Sequence, residues 1–271
     1  MIKPMSVISA SRRVDMVGFF PHKLAEILQN RCPPEKVHSI VLWSKDPRHL
    51  LTHTVLRETL KKYELTFLHL TVSGMGGSYL ESGIPSTAKC LALLPELVEF
   101  LGSPRRIRLR FDPVVHLRLP DGKAYSNLSQ FENIARTAMK NHVHEISISW
   151  MQSYDKVNKR LEKYGIVPLK PGEKAWQDEW EKISGIARSI GIHVHGCCVP
   201  GLRISRCIDG ELLTILHPRL VQASLKKAGG QRELCGCTES WDIGWYYPCP
   251  GRCVYCYARP VELSHLTGRN P

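Results

Sequence analysis

The fold is decided by the stretch Val37-His-Ser-Ile-Val-Leu-Trp43, which continues as Ser44-Lys-Asp-Pro47. Its apolar, β-branched run predicts a buried strand over residues 37–43. Asp46 then offers a carboxylate suited to helix capping, and Pro47 suits the first helical turn. A strand that leads directly into a helix is the unit from which parallel α/β sheets are built.

This strand–helix unit recurs along the chain. Together with the first, the apolar stretches predict seven strands, over residues 5–10, 37–43, 65–72, 107–111, 145–150, 192–197 and 241–246. Predicted helices include one that follows Ser86 and is kinked at Pro95, one over residues 126–141, and one over 176–190 that ends at Gly191. We expect one α/β domain over residues 1–271, a complete or partial (β/α) TIM-like barrel, because dinucleotide-binding glycine motifs are absent.

Composition narrows the class of protein. A hydrophobic fraction of 43% is sufficient for a core, and no apolar run reaches the roughly 18 residues of a membrane span. The first residues do not resemble a secretory signal, so we expect a cytoplasmic protein that does not enter a membrane. In a reducing compartment, ten cysteines predict metal or redox ligands. A formal charge of +12 is compatible with a nucleic acid or nucleotide partner, although metal-bound thiolates reduce that charge.

The segment with the most specific chemistry is Cys249-Pro-Gly-Arg-Cys253-Val-Tyr-Cys256, here called the cluster loop. Its CxxxCxxC spacing supplies three thiolates, whereas a fully protein-ligated [4Fe–4S] cluster needs four. Such a cluster therefore keeps one iron open to another ligand. A zinc site completed by Cys235 or Cys237, or a set of disulfides, is an alternative interpretation of the same cysteines.

The cluster loop resembles the loop that holds the cluster in radical S-adenosylmethionine enzymes. The resemblance implies a [4Fe–4S] cluster on Cys249, Cys253 and Cys256, with S-adenosylmethionine on the open iron. It also implies reductive cleavage to a 5′-deoxyadenosyl radical, an adenine site near Tyr255, and an electron donor such as a flavodoxin or ferredoxin. The resemblance does not give the substrate.

Other motifs resemble, nearly end to end, an uncharacterised prokaryotic family named domain of unknown function 1848. These motifs are Ser9-Ala-Ser-Arg-Arg13 with Asp15, Trp43-Ser-Lys45-Asp-Pro47, Arg110-Phe-Asp112-Pro, Ser149 to Lys156, Cys207-Ile-Asp209, Cys235-Gly-Cys237, Asp242-Ile-Gly244 and the cluster loop. In the usual radical enzyme the cluster loop follows the first strand, but here it follows the seventh. The resemblance therefore implies a circularly permuted barrel, in which residues 241–260 supply a strand and the cluster loop, and residues 5–10 lie beside that strand.

That placement puts Ser11, Arg12 and Arg13 close to the cofactor. An arginine fork can bind the carboxylate of S-adenosylmethionine through two parallel hydrogen bonds. We therefore interpret these three residues as cofactor-binding candidates. The alternative is that both arginines only form ion pairs with Asp15 or Asp112.

Residues at strand ends are the other candidates, because function in a parallel barrel lies on the loops that follow the strands. Lys45 and Asp112 are catalytic candidates for substrate contact or proton transfer, although Lys45 has an alternative ion pair with Asp46 or Asp15. His193 and His195 are expected to face the same cavity, either as metal ligands or as hydrogen-bonded histidines.

Four further cysteines within residues 198–240 predict an auxiliary site: Cys198, Cys207, Cys235 and Cys237. Four thiolates complete a closed iron–sulfur cluster or a structural zinc site, and Cys197 is an alternative to Cys198. Cys32 and Cys90 are predicted to be ordinary buried thiols. The competing functions are thus a radical enzyme, a non-enzymatic zinc protein that binds nucleic acid, and an iron–sulfur electron carrier or sensor.

Overall fold

The computed structural model describes residues 5–271 of the chain. All seven predicted strands are present and form one parallel sheet. The strands in chain order are β1 (Ser6–Ala10), β2 (Val37–Ser44), β3 (Thr66–Thr71), β4 (Ile107–Val114), β5 (His116–Arg118), β6 (Ala124–Ser126), β7 (Glu145–Trp150), β8 (Val167–Pro168), β9 (His193–Gly196) and β10 (Trp241–Asp242). The parallel sheet has the order β10-β1-β2-β3-β4-β7-β9.

The helices follow the strands much as predicted. They are α1 (Met16–Phe19), α2 (Pro21–Arg31), α3 (Arg48–Thr52), α4 (Thr54–Leu60), α5 (Thr87–Leu91), α6 (Leu94–Leu101), α7 (Phe131–Lys140), α8 (Asp155–Lys163), α9 (Glu173–Ile190) and α10 (Gly210–Leu216). Ser86 caps α5 as predicted, but the segment around Pro95 is two helices, because the proline lies in the first turn of α6. At α3 the N-cap is Pro47 rather than Asp46.

The predicted neighbourhood of β10 and β1 is confirmed. Ile8 is in register with Trp241, and Ser9 with Asp242, so the strand that precedes the cluster loop pairs with the first described strand. β10 is shorter than the predicted 241–246, since Asp242 is its last residue. The carboxylate of Asp242 accepts hydrogen bonds from the Ser9 and Ser11 hydroxyls, and these continue the connection beyond the ladder.

The two faces of the sheet are covered differently. Alternate residues such as Ile40 and Leu68 belong to the main core, which includes the apolar faces of α2, α6 and α7. Their neighbours Val41 and Phe67 lie in a second apolar cluster, with Cys207 and other residues of the segment between β9 and β10. Both faces of β1–β3 are therefore buried, as is typical of a parallel sheet.

Three short strands form a separate antiparallel sheet, in the order β6-β5-β8. The sequence analysis did not predict these strands. Val115 and Leu117 from this region pack with Leu161 of α8 and with Val254 and Tyr255 of the cluster loop, so this sheet supports one side of the site. Within residues 5–271, no helix combines the length and apolar character needed to cross a membrane.

Candidate functional site

A cavity of about 450 Å³ opens at the carboxyl ends of the parallel strands. Residues at or just beyond the ends of β1, β2, β4, β7 and β9 line it, as expected for a sheet whose loops carry function. The lining includes all the candidates for cofactor binding and catalysis, and the cysteines predicted to bind metal: Ser11, Arg12, Arg13, Lys45, Asp112, Cys198, Cys207, Cys235, Cys237, Cys249, Cys253, Tyr255 and Cys256. The structure thus brings together residues that are up to 245 positions apart, from Ser11 to Cys256.

The two histidines of β9 are the exception, and the expectation that they face the cavity is wrong. The side chain of His193 is exposed, and neither His193 nor His195 lines the cavity. His195 is buried, with its Nε2 atom 2.5 Å from a carboxylate oxygen of Glu145. His195 therefore lies against a carboxylate outside the cavity and is not one of the cavity's metal-ligand candidates.

The cluster loop is held in place by backbone hydrogen bonds at its first residue and in its second half. Cys249 N donates to Arg259 O at 2.7 Å, and Val254 N donates to Leu80 O at 3.0 Å. Gly83 lies so close that an added Cβ atom would stand 2.1 Å from the carbonyl oxygen of Pro250. The loop between β3 and α5 therefore acts as the support against which the three cysteines are arranged.

The three thiols of the cluster loop are in a buried environment. Burial raises the pKa of Cys249 to about 11, and it also raises the pKa values of Cys253 and Cys256. Without a metal these groups are neutral thiols at pH 7. A metal that binds them must displace their protons and supply the positive charge that stabilises the thiolates.

Tyr255 belongs to a buried network whose centre is Glu81. The Tyr255 hydroxyl and the Ser73 hydroxyl both donate to the Glu81 carboxylate, and Lys45 Nζ lies 2.7 Å from Glu81 Oε1 and 3.1 Å from the Tyr255 hydroxyl oxygen. Burial is the largest influence on Lys45 and lowers its pKa, but Glu81, Cys253 and Asp112 together outweigh it, so the pKa is raised. Lys45 is therefore held as a cation beside Cys253. Its partner is Glu81, which no motif in the sequence indicated, rather than Asp46 or Asp15.

Ser11, Arg12 and Arg13 occupy three different environments. Ser11 Oγ donates to Asp242 at 2.9 Å, and the Arg13 guanidinium donates to the Gly244 carbonyl at 3.2 Å. Arg12 lies 5.4 Å from the centre of the Trp43 ring, and its buried Nη2 atom has no hydrogen-bond partner among the described residues. Asp15 caps α1 and accepts from Ser44, so the alternative ion pairs of Arg12 and Arg13 with Asp15 do not occur within residues 5–271.

Asp112 lines the cavity, and its carboxylate is held by two neighbouring side chains. Its carboxylate accepts hydrogen bonds from the guanidinium of Arg110 and from the Ser149 hydroxyl. Arg110 also donates to Cys207 Sγ at 2.7 Å. Asp112 thus has an arginine and a serine as partners, rather than Arg12 or Arg13 as in the alternative interpretation.

Five further cysteines line the cavity, and we call them the second cysteine group: Cys197, Cys198, Cys207, Cys235 and Cys237. The pKa of Cys207 is lowered well below its ordinary value, because the Cys197 and Cys237 thiols donate to it and Arg110 lies beside it. Cys32 and Cys90 are buried elsewhere, as predicted. Within the described part of the chain no three histidine, cysteine or acidic side chains converge on the position of a single metal ion.

The donor set of the cluster loop fits an iron–sulfur cluster. A cubane binds each thiolate at a different iron, so its ligands need not converge on one point. Space beside the loop depends on Gly251, where an added Cβ atom would stand 3.0 Å from Ile84 and 3.5 Å from Cys249 Sγ. Cys249, Cys253 and Cys256 are therefore the residues that would hold the cluster.

The fold and the site define a parallel α/β protein with a cysteine-rich cavity at its strand ends. Residues 21–258 match the family model described as domain of unknown function (DUF1848), so the chain belongs to this family. No curated protein matches the chain. Membership of this family does not indicate an activity, so the function must be argued from the site.

Proposed function

We propose that the chain is a radical S-adenosylmethionine enzyme whose [4Fe–4S] cluster is held by Cys249, Cys253 and Cys256. The observation that carries the proposal is that all three thiols line the cavity formed by the strand ends. When bound, such a cluster supplies the electron that cleaves S-adenosylmethionine reductively to a 5′-deoxyadenosyl radical. An electron donor such as a flavodoxin or ferredoxin would be its partner.

We further propose that the sheet is a partial (β/α) barrel of the permuted type. Two observations support this. From β1 to β9 the parallel strands follow one another in chain order without reversal, and β10 is added at the other edge beside β1. A doubly wound sheet instead reverses its strand order at a switch point. The apolar faces of α2, α6 and α7 pack on one side of the sheet, and the segment between β9 and β10 occupies the other.

The residues around the cluster loop have separable roles in this proposal. Arg12 binds the carboxylate of S-adenosylmethionine, since its buried Nη2 atom has no partner among the described residues and the side chain lines the cavity. Ser11 and Arg13 hold the adjoining turn through Asp242 and Gly244. Tyr255 lines the adenine side, and Glu81 fixes the orientation of its ring by accepting from its hydroxyl.

Lys45 and Asp112 are the candidates for contact with the substrate. Both line the cavity beside the cluster loop, Lys45 as a cation paired with Glu81 and Asp112 as an acceptor for Arg110 and Ser149. The lining holds five cationic side chains, one lysine and four arginines, against two carboxylates. Aromatic rings of Trp43, Trp150 and Tyr257 also line it, and rings of this kind can stack on a base. We therefore propose a negatively charged substrate, either a nucleotide or a nucleic acid.

The test is the production of 5′-deoxyadenosine from S-adenosylmethionine by anaerobically reconstituted protein with dithionite as the reductant. We expect slow production by the wild-type chain and none by Cys253→Ala. Cys90→Ala is the matched control, since this buried thiol lies outside the cavity and its loss should leave production unchanged. The proposal fails if wild-type protein with a full, reducible cluster produces no 5′-deoxyadenosine, or if the cluster loop takes up zinc and no iron.

A further inference from the structure

Exposed aromatic side chains are concentrated around the mouth of the cavity. Among residues 5–271, four aromatic residues are more than two-fifths exposed: Tyr154, Trp241, Tyr246 and Tyr257. We call the three tyrosines the rim tyrosines, because Tyr154 follows β7, Tyr246 follows β10 and Tyr257 follows the cluster loop, all on the strand-end side of the sheet. Single exposed aromatic residues are ordinary on a protein surface, but three beside one cavity indicate a binding surface.

Two of the rim tyrosines are neighbours whose rings remain accessible. Tyr154 and Tyr257 both line the cavity, and their ring centres are 6.3 Å apart with the planes inclined by 46°, so the rings do not stack on each other. The Tyr257 hydroxyl donates to the carbonyl of Arg12 at 2.8 Å, which joins this ring to the turn after β1. Both rings can therefore receive the face of a nucleic acid base, a contact that does not depend on which base it is.

Arginine side chains lie between these rings. The guanidinium carbon of Arg13 is 5.3 Å from the centre of the Tyr246 ring, and Arg13 and Arg232 are exposed residues of the cavity lining. Within the described chain their guanidinium groups donate to the carbonyl of Gly244 and to Cys197 Sγ, and neither reaches a carboxylate. Two positive charges at the mouth are therefore free to pair with phosphates.

The two carboxylates of the cavity lining do not oppose this charge. Asp15 caps α1 and accepts from Ser44, and Asp112 accepts from Arg110 and Ser149. Aromatic rings combined with cations that follow a strand's backbone are typical of surfaces that bind single-stranded nucleic acid. A free nucleotide would occupy the cavity alone, and it would leave the ring of Tyr246, which lies outside the lining, without a contact.

We propose that the rim tyrosines, with Arg13 and Arg232, bind a single-stranded nucleic acid. One nucleotide enters the cavity, its neighbours in the strand stack on the tyrosine rings, and the arginines pair with phosphates. The inference rests on the proposed function in taking this strand as the substrate. A duplex does not fit this surface, because its bases stack on one another and do not present their faces. The contacts use bases and phosphates rather than the sugar, so DNA and RNA strands should both bind.

The test is fluorescence anisotropy of a labelled oligothymidylate of about 12 nucleotides, within the usual site sizes, added to anaerobically reconstituted protein. We expect the strand to bind, and neither a duplex of the same length nor thymidine monophosphate at the same nucleotide concentration to compete fully. Tyr154→Ala and Tyr246→Ala should each weaken binding by about 5- to 150-fold, whereas Tyr154→Phe and Tyr246→Phe keep the ring and should bind as the wild type does. Trp241→Ala is the matched control, because this exposed ring has Arg31 5.2 Å from its centre but lies outside the lining.

The salt dependence tests the arginines separately. Each phosphate contact to a single strand contributes about 0.7 to the slope of log affinity against log salt concentration. The variant Arg13→Gln/Arg232→Gln should therefore reduce the magnitude of that slope by about 1.4. Arg136→Gln should leave the slope unchanged, because Arg136 is paired with Glu132 and lies outside the cavity.

Each outcome decides a specific point. The inference is overturned if the duplex or the mononucleotide competes fully, or if the alanine variants bind as the wild type does. If only one of an oligothymidylate and an oligouridylate binds, the assignment of the contacts to bases and phosphates is wrong. Production of 5′-deoxyadenosine is measured on the same preparations. Production without strand binding overturns this surface alone, whereas strand binding without production from a full, reducible cluster overturns the proposed function and leaves the surface in place.

Discussion

Replacing Glu81 by glutamine should destabilise the protein strongly, although no sequence motif contains this residue. The Glu81 side chain is 1% exposed, and its carboxylate accepts from Lys45, Ser73 and Tyr255. Glutamine keeps the shape but removes the charge, so the Lys45 ammonium loses its ionic partner. Breaking a buried pair by removing one member costs about 3–5 kcal/mol. We expect a loss of about 3 kcal/mol, near the low end, because the glutamine oxygen still accepts and Lys45 is 18% exposed.

Urea unfolding of Glu81→Gln measures this loss. With a denaturant slope of about 3 kcal/mol per molar, the midpoint should fall by about 1 M. Glu58→Gln is the matched control: its pair with Lys61 has the same 2.7 Å separation, but both side chains are more than half exposed, so no measurable change is expected. The double variant Lys45→Met/Glu81→Gln should recover most of the stability, because it leaves no unpaired buried charge. The reasoning is refuted if Glu81→Gln behaves like Glu58→Gln, or if the two single losses simply add.

Three further perturbations test the site and its support. Asp242→Ala removes the carboxylate that accepts hydrogen bonds from Ser9, Ser11 and the Arg12 backbone. The free energy of unfolding, measured in urea, should fall by about 2–4 kcal/mol. A fall of less than about 1 kcal/mol would contradict the importance of this connection. Gly83→Ala should lower the iron content of reconstituted protein, because its Cβ would stand 2.1 Å from Pro250 O; Gly229→Ala, with nothing within 4 Å, should leave the iron content unchanged. Burial lowers the pKa of His38 from 6.5 in the folded chain. As the pH falls through about 6.5, this histidine is therefore protonated in the unfolded chain but not yet in the folded chain, and the free energy of unfolding decreases. In His38→Gln the slope of unfolding free energy against pH between about 5 and 7 should therefore be smaller than in the wild type, and an identical slope would count against this explanation.

Most of the parallel strands were predictable because they are rich in apolar and β-branched residues. Both faces of β1 to β3 are buried, so their sequences do not indicate which residues contact the helices and which contact the segment between β9 and β10; the structure shows this. The strands of the small antiparallel sheet were missed because they have two or three residues each. The pairing of β5 with β8 joins residues about 50 positions apart, and no local pattern records it.

The site was predictable wherever its chemistry is carried by residue type and spacing. Cysteine motifs and strand-end arginines are recognisable from residue type and spacing, and all of the candidates for cofactor binding and catalysis line one cavity. Glu81 is not recognisable in this way, because it lies in a loop and its importance comes from burial among Lys45, Ser73 and Tyr255. His195 was expected in the cavity because of its position at a strand end, but Glu145 on the neighbouring strand supplies a closer partner. Tertiary contact decided both cases.

The pairing of β10 with β1 has a consequence for the order of events during synthesis. Domains emerge from the amino terminus first, so β1 to β9 are made before the strand that covers the free edge of β1. Until then this edge presents unpaired backbone groups, a surface on which chains can associate wrongly. The cysteines of the cluster loop follow β10. Loading of the proposed cluster would therefore depend on the same segment that closes that edge, and a chain truncated before residue 241 lacks both.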